Sequence, residues 1–485
     1  MPIGVHSCSF GVAVVQPHRH PSMFRRAGRG QSRSQSSSTT TWRLILLSGA
    51  ALLLVGAQWF LPPTPFAVQR SIDHGGWSQV AAAELPVGVE ERAERRGSLV
   101  IMGGSERFDN RVIWSTIVDL AGGERSRIAV FPTASGMPVQ DGEDVVRVLN
   151  EAGADAFVVP VALRGFNVEY QEAVRDEQLV ESVGQATGVF FVGGDQGKLR
   201  RVLVEEDGRN TPLLSAVWSV YRKGGVVAGT SAGAAVMSRI MFRSAPSVLN
   251  TLLNGVKLGR EIDYGFGFLD SDWFVDQHCL VRGRFARALV AMKSQGIDYG
   301  LGIDEDTALV VKGDVGRVIG YRGVLLLDLS EAKSTDKESG FNVRNVRLSY
   351  LDRGDELQLR TLQITPSPEK QADRKVDPQS PDFEPRFRQK VFSNDILGNM
   401  AVHDLMCKLL DNRHDEAVGL AFDGAAALAS ETDGFEFRFW RAEDTHGWET
   451  GAFGGDDYTM VNLHLDINPI KIKGPLYRRE APSGN

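Results

Sequence analysis

Three separated stretches carry residue types that together can break an acyl bond. Residues 229–233 read Gly-Thr-Ser-Ala-Gly, so Ser231 sits between small residues and follows the apolar run Val226-Val227-Ala228. An apolar strand, a tight glycine-bearing turn and a helix-forming stretch are the context a nucleophile elbow requires, because the turn pushes the hydroxyl clear of the backbone. A helix starting behind the serine aims free N–H groups at a developing oxyanion. A bare Gly-x-Ser-x-Gly also arises in ordinary strand–helix turns; the matching context on both sides favours the nucleophile. A serine needs a base, usually histidine. His278 is the one histidine of residues 98–362, and it closes the run Trp273-Phe274-Val275-Asp276-Gln277, which places it at a sheet edge. His403 lies in a later helical pattern and reads as packing or surface.

Two more loops follow apolar runs. At 190–198 the pair Gly193-Gly194 lets backbone approach a substrate carbonyl and donate an N–H. At 302–307 the turn carries Asp304, Glu305 and Asp306, any of which can hold an imidazole in its productive tautomer. Their bland reading is a solvated turn. Arg282, Arg284 and Arg287 open an amphipathic stretch just past His278; such runs are usually solvated faces, but beside a base they can hold substrate carboxylates. Asp276 and Gln277 can orient the ring or the substrate. The order Ser231, His278, then an acid differs from α/β-hydrolases, where the acid precedes the histidine, and so argues against a lipase or esterase.

The elements needed to position these loops are readable. Apolar runs at 98–102, 128–131, 156–159, 188–192 and 225–228 alternate with helical stretches ending near 120, at 144–151 and at 172–183, with two more before 225. That rhythm predicts an α/β fold, a three-layer sandwich around a mostly parallel sheet covered on both faces. Ligands bind beyond the carboxyl ends of such strands, where the candidate loops fall. Residues 306–362 turn strand-rich and are expected to complete the same domain. The Pro-rich, charged stretch 363–388 predicts a linker or long loop. Residues 389–485, with a helix at 395–410 and alternating stretches at 435–440 and 458–465, predict a small C-terminal α+β appendage with no chemistry assigned.

The 485 residues carry a net charge of −7 with 42% hydrophobic content, enough for one large domain or two ordinary ones. A sequence pI near 5.8 gives no nucleic-acid footprint. No Asp or Glu precedes Asp73, while Arg19, Arg25, Arg26, Arg29, Arg33 and Arg43 are present. Residues 1–43 therefore read as a basic leader, 44–61 as an apolar signal or membrane anchor, and 62–97 as a linker. The positive-inside rule sends the remainder outward, predicting an exported protein, secreted or periplasmic, or membrane-anchored if 44–61 is uncleaved. Cys8, Cys279 and Cys407 make no disulfide framework.

Together, Gly193-Gly194-Asp195-Gln196, the stretch from Gly229 to Met237, Asp276-Gln277-His278 with Arg282, Arg284 and Arg287, and the run from Gly302 to Ala308 resemble cyanophycinase. That family belongs with the dipeptidase E-type serine peptidases, whose core resembles class I glutamine amidotransferases. The resemblance spans about residues 98–362, the expected serine peptidase domain. It implies hydrolysis of cyanophycin, a polyaspartate bearing isopeptide-linked arginines, to β-aspartyl-arginine dipeptides. It further implies Ser231 as nucleophile, His278 as base, Gly194 and Ala232 as oxyanion donors, and neither metal nor cofactor. Gln196, Asp276, Gln277, Arg282, Arg284 and Arg287 match substrate-binding positions of the family, and a homodimer is compatible with it. Glu305 is favoured as third triad member over Glu261, Asp263, Asp270, Asp272 and Asp276, which lie between Ser231 and His278. Amidotransferase relatives carry a cysteine where this chain has Ser231, which argues against glutaminase chemistry. The rival readings are an exported aspartyl di- or oligopeptidase of the same fold, and a non-catalytic binding protein.

Overall fold

Alternate residues of the strand Ser98–Met102 (β1) enter different cores, Leu99 and Ile101 one, Val100 and Met102 the other. A strand that is apolar on both faces must be covered on both. The computed structural model describes residues 97–480 apart from 245, 336–339, 456 and 478–479. The expected leader 1–43, the apolar segment 44–61, the linker before residue 97 and Cys8 lie outside the described residues. Among the described residues no helix is long and apolar enough to cross a membrane.

β1 is central in a nine-stranded sheet. Its parallel half contains β2 (Arg127–Phe131), β3 (Asp155–Val158), β4 (Gly188–Phe191) and β5 (Val226–Thr230), ordered β1-β5-β4-β2-β3. The helices Arg111–Leu120 and Pro138–Glu151 cover one face through Ile113, Trp114, Ile117, Val145 and Val148. Pro212–Arg222 lies with the other face through Leu213, Leu214 and Val217. Its start is written locally: the Thr211 hydroxyl caps Leu214 N–H, and Pro212 takes the first turn, where its missing N–H costs nothing. The fold is thus α/β around a parallel core. The helix expected over 172–183 is two, Tyr170–Ala173 and Glu177–Gly184, because Asp176 caps the second one through Leu179 N–H.

After a hairpin of β6 (Ile240–Phe242) and β7 (Ile262–Tyr264), the chain starts a second sheet with β8 (Trp273–Gln277) and β9 (Tyr299–Ile303). β10 (Thr307–Lys312) and β11 (Val315–Gly320) return antiparallel to the first sheet beside β1. β12 (Val324–Asp328) and β13 (Val343–Leu351) join the second, and the short β14 (Glu356–Gln358) and β15 (Ile364–Thr365) close the edge of the first. The stretch 306–362 therefore alternates between two sheets.

The stretch 363–388 is pinned down. It carries β15, the helix Pro368–Ala372 and β16 (Arg374–Val376), and Lys370 Nζ is buried 3.0 Å from Asp355 Oδ1. Beyond it come β17 (Val391–Ser393), β18 (Glu416–Phe422), β19 (Thr432–Thr450) and β20 (Asp457–Ile472). They extend the second sheet in the order β17-β18-β19-β20-β13-β12-β9-β8. The strands β17 to β20 thus share a sheet with the strand that leads into His278. The helix Ala401–Leu410 packs Leu405, Met406 and Leu409 into that sheet's core.

Candidate active site

The turn after β1 gathers three loops by backbone alone. Met102 C=O accepts Ser231 N–H at 3.1 Å, Gly103 C=O accepts His278 N–H at 2.9 Å, and Gly104 C=O accepts Asp306 N–H at 3.0 Å. Gly104 has φ +108, and a Cβ there would stand 2.2 Å from His278 Cε1, so only glycine lets the imidazole lie against this turn.

Ser231 follows β5 and precedes the short helix Ala232–Ala235, with φ 51 and ψ −108. A positive φ is costly for a residue with a side chain and persists only where surrounding structure imposes it. Here the imposed turn points the hydroxyl at His278: Ser231 Oγ lies 2.9 Å from Nε2. His278 also has positive φ, 52, and is only 5% exposed. Its Nδ1 lies 2.7 Å from Glu305 Oε1.

The three acids of the 302–307 turn have separate partners. Glu305 meets the imidazole. Asp304, fully buried, accepts the N–H groups of Leu280 and Val281, both at 3.2 Å, and pairs with Arg322 at 3.1 Å. Asp306 accepts from Asn110 Nδ2 at 2.8 Å and pairs with Arg107 Nε at 3.1 Å. Burial pulls Glu305 upward, but the His278 hydrogen bond, the imidazole and Arg282 outweigh it and hold the carboxyl below its ordinary value. Burial drives His278 the opposite way, to about 4, against the pull of Glu305. At neutral pH the imidazole is therefore uncharged and can take a proton from Ser231 Oγ.

The Ala232 N–H and the backbone at Gly193 stand near Ser231. Ala232 N–H belongs to the first turn of its helix, where no earlier carbonyl can accept it. Gly194 has φ +139, and a Cβ there would stand 2.2 Å from Ala134 O; a Cβ on Gly193 would stand 3.3 Å from Ser231 Cβ. The 193–194 loop thus runs alongside the serine as backbone.

The remaining expected residues divide by burial. Arg287 forms a two-pronged ion pair with Asp276, and its guanidinium also lies 4.3 Å from the Phe242 ring centroid. Gln196 donates to Phe242 C=O at 2.5 Å. Arg284 donates to the Gln277 C=O at 3.0 Å and to its side-chain oxygen; burial, then Arg287, lowers this guanidinium to about 10. Arg282 has a side chain 49% exposed and lies 3.5 Å from Glu305 Oε1, which makes it a solvent-facing cation beside the triad acid. Among the described residues Cys279 and Cys407 form no disulfide, and Cys407 Sγ lies 3.6 Å from His403 Nε2. His403 packs edge-on against Tyr350 with centroids 4.5 Å apart.

One residue escaped the sequence reading. Glu106 accepts Gly104 N–H at 2.6 Å and the Thr230 hydroxyl. Its only sequence signal is an acid two residues beyond the Gly103-Gly104 turn, in a loop that follows a strand.

The sequence pattern of peptidase family S51 matches residues 99–319. A cyanophycinase of Nostoc sp. is 30% identical over 283 residues, spanning 57% of this chain and 90% of its own. A cyanophycinase of Geminocystis herdmanii is 32% identical over 282 residues, spanning 55% of this chain and 96% of its own. Among solved structures, a peptidase from an acI-B1 actinobacterium covers 55% of this chain and 98% of its own, with 22% identity and a TM-score of 0.42.

Proposed function

Because the chain belongs to peptidase family S51 and is a serine peptidase, we propose that it hydrolyses cyanophycin to β-aspartyl-arginine dipeptides through an acyl-enzyme on Ser231. The observation that carries this reading is the unbroken run Ser231 Oγ, His278 Nε2, His278 Nδ1, Glu305 Oε1, at 2.9 and 2.7 Å.

In this reading Ser231 Oγ bonds to the backbone carbonyl carbon while its proton passes to His278 Nε2. The N–H groups of Gly194 and Ala232 hold the resulting oxyanion. The C–N bond then breaks, the departing amine takes the proton from His278, and water releases the acyl group by the reverse sequence. Glu305 keeps the imidazole in the tautomer that accepts at Nε2. Arg282 is a cation available to the free α-carboxylates of the pendant arginines. Asp276 and Arg287 act from beneath, by fixing the end of β8, and Gln196, Gln277 and Arg284 shape the floor. An intact Ser231–His278 pair is what a non-catalytic binding protein would have no need to keep.

The test is incubation of the protein with insoluble cyanophycin, with release followed by mass spectrometry and Ser231→Ala as control. Dipeptide from the wild type only supports the reading. Cleavage of short aspartyl peptides without action on the polymer moves the assignment to an aspartyl peptidase. Export, attachment through residues 44–61 and homodimerisation belong to the same proposal. Recovery of full-length protein in the cytosolic fraction counts against the first two, and a monomeric mass in solution against the third.

A further inference from the structure

A carboxylate that the triad does not use stands between the two backbones that carry the reacting groups. Glu106 accepts Gly104 N–H at 2.6 Å through Oε1 and the Thr230 hydroxyl through Oε2. Thr230 is the last residue of β5, immediately before Ser231. Gly104 is the residue whose Cα lies against the His278 ring, and its neighbour Gly103 accepts His278 N–H. One end of the carboxylate is thus tied to the serine strand and the other to the turn on which the imidazole rests.

The charged groups around this carboxylate are few. Asp306 acts on it from the 302–307 turn and is itself paired with Arg107; His278 lies on the far side of Gly104, paired with Glu305. Burial, with a smaller contribution from Asp306, lifts the Glu106 carboxyl to about 7 against the pull of both hydrogen bonds. Glu106 is only partly buried, but a freely solvated acid would not hold both of these hydrogen bonds at once. Nor is this the usual role of a loop acid in capping a helix, because one donor ends β5 and the other lies in the turn after β1.

We propose that Glu106 is a positioning residue for the reaction: by bridging Thr230 and Gly104 it sets the spacing between Ser231 Oγ and His278 Nε2. The inference rests on the reading of Ser231 as nucleophile. Its leverage is geometric, since a displacement of about 1 Å between reacting atoms costs about 10²-fold in rate.

The experiment is the rate at which a fluorophosphonate labels Ser231 in the full chain, which reports the Ser231–His278 pair without any assumption about substrate. Glu106→Ala removes both bonds and is expected to slow labelling by about 10- to 100-fold. Glu106→Gln keeps the length, accepts from Gly104 and donates to the Thr230 oxygen, and is expected to label within about threefold of wild type if spacing alone matters. Glu106→Asp is too short to reach both partners and should resemble the alanine variant. Thermal melts of all three separate spacing from unfolding; if Glu106→Ala melts early, the comparison of Asp with Gln decides. Wild-type labelling rates in both Glu106→Ala and Glu106→Asp overturn the proposal, as does a Glu106→Gln variant that folds but labels as slowly as alanine. A wild type that takes no label at all overturns the nucleophile assignment, and this inference with it.

Discussion

Asp276 and Arg287 meet fork to fork, Nε to Oδ2 at 2.7 Å and a terminal nitrogen to Oδ1 at 2.6 Å. They are 2% and 6% exposed. Removing one partner leaves the other charged and buried, so Asp276→Ala or Arg287→Ala should cost about 3–5 kcal/mol. Replacing both by apolar residues of similar volume should recover most of the loss. Urea denaturation of the two single variants and the double variant checks this. Single variants as stable as wild type would show that the pair contributes no stability.

Glu305→Gln keeps the shape of the side chain but removes the charge that balances an imidazolium. A fall in kcat of about 10²- to 10⁴-fold with little change in KM is expected. A change confined to KM would assign Glu305 instead to holding Arg282 for the substrate.

The pH dependence follows from His278. Burial places its protonation near 4 in the folded chain, against an ordinary value of 6.5. Only the neutral ring can accept the serine proton, so turnover should fall as pH drops through about 4. Stability responds over a different window. The unfolded chain binds this proton first, so the folded state loses stability as pH falls from 6.5 toward 4 and gains nothing further from this group above 6.5. Initial rates and thermal melts from about pH 3 to about pH 8 separate the two, because Ser231→Ala should keep the second effect while losing the first.

The local chemistry of the site was readable in the sequence because it rests on residue type and loop context. The strand before Ser231, the turn after it and the apolar run before His278 all appear as expected. The choice among Asp304, Glu305 and Asp306 was not readable from spacing, since three consecutive side chains on a turn point three ways and their partners, Leu280, His278 and Asn110, all lie far from the turn in the chain. The same limit hid the division among Arg282, Arg284 and Arg287. One faces solvent and two meet partners on the strand before His278. Residues 435–440 and 458–465 were legible as alternating runs, but the hairpin they belong to is longer, 432–450 against 457–472. A register shift between Arg441 and His446 breaks the alternation there, so the pattern ends before the strand does. Membership of this hairpin in the sheet of β8 is a long-range pairing, which no local periodicity encodes.

Arg322 supplies a further test. It holds the buried Asp304 carboxylate that accepts Leu280 and Val281 N–H, two and three residues past His278. Arg322→Ala leaves that carboxylate short of a partner, with an expected loss of about 1–3 kcal/mol and slower turnover. Arg360→Ala, which breaks the exposed pair with Asp314, should leave both stability and turnover close to wild type. Equal effects from the two would remove any special link between Asp304 and the His278 loop.

The loop after His278 has a second prop, made late in the chain. Met400 N–H donates to Leu280 C=O at 3.0 Å, and Gly283 packs so closely on Leu397 that a Cβ would stand 2.3 Å from its carbonyl oxygen. During synthesis Ser231, His278 and Glu305 all leave the ribosome before residue 397 is added. A nascent chain therefore holds every reacting group of the site for some ninety residues of elongation while the loop that aims one of them has only its Asp304 contacts. Translation order thus completes the support of that loop last, and a product that stops short of residue 397 would carry the reacting groups without this second prop.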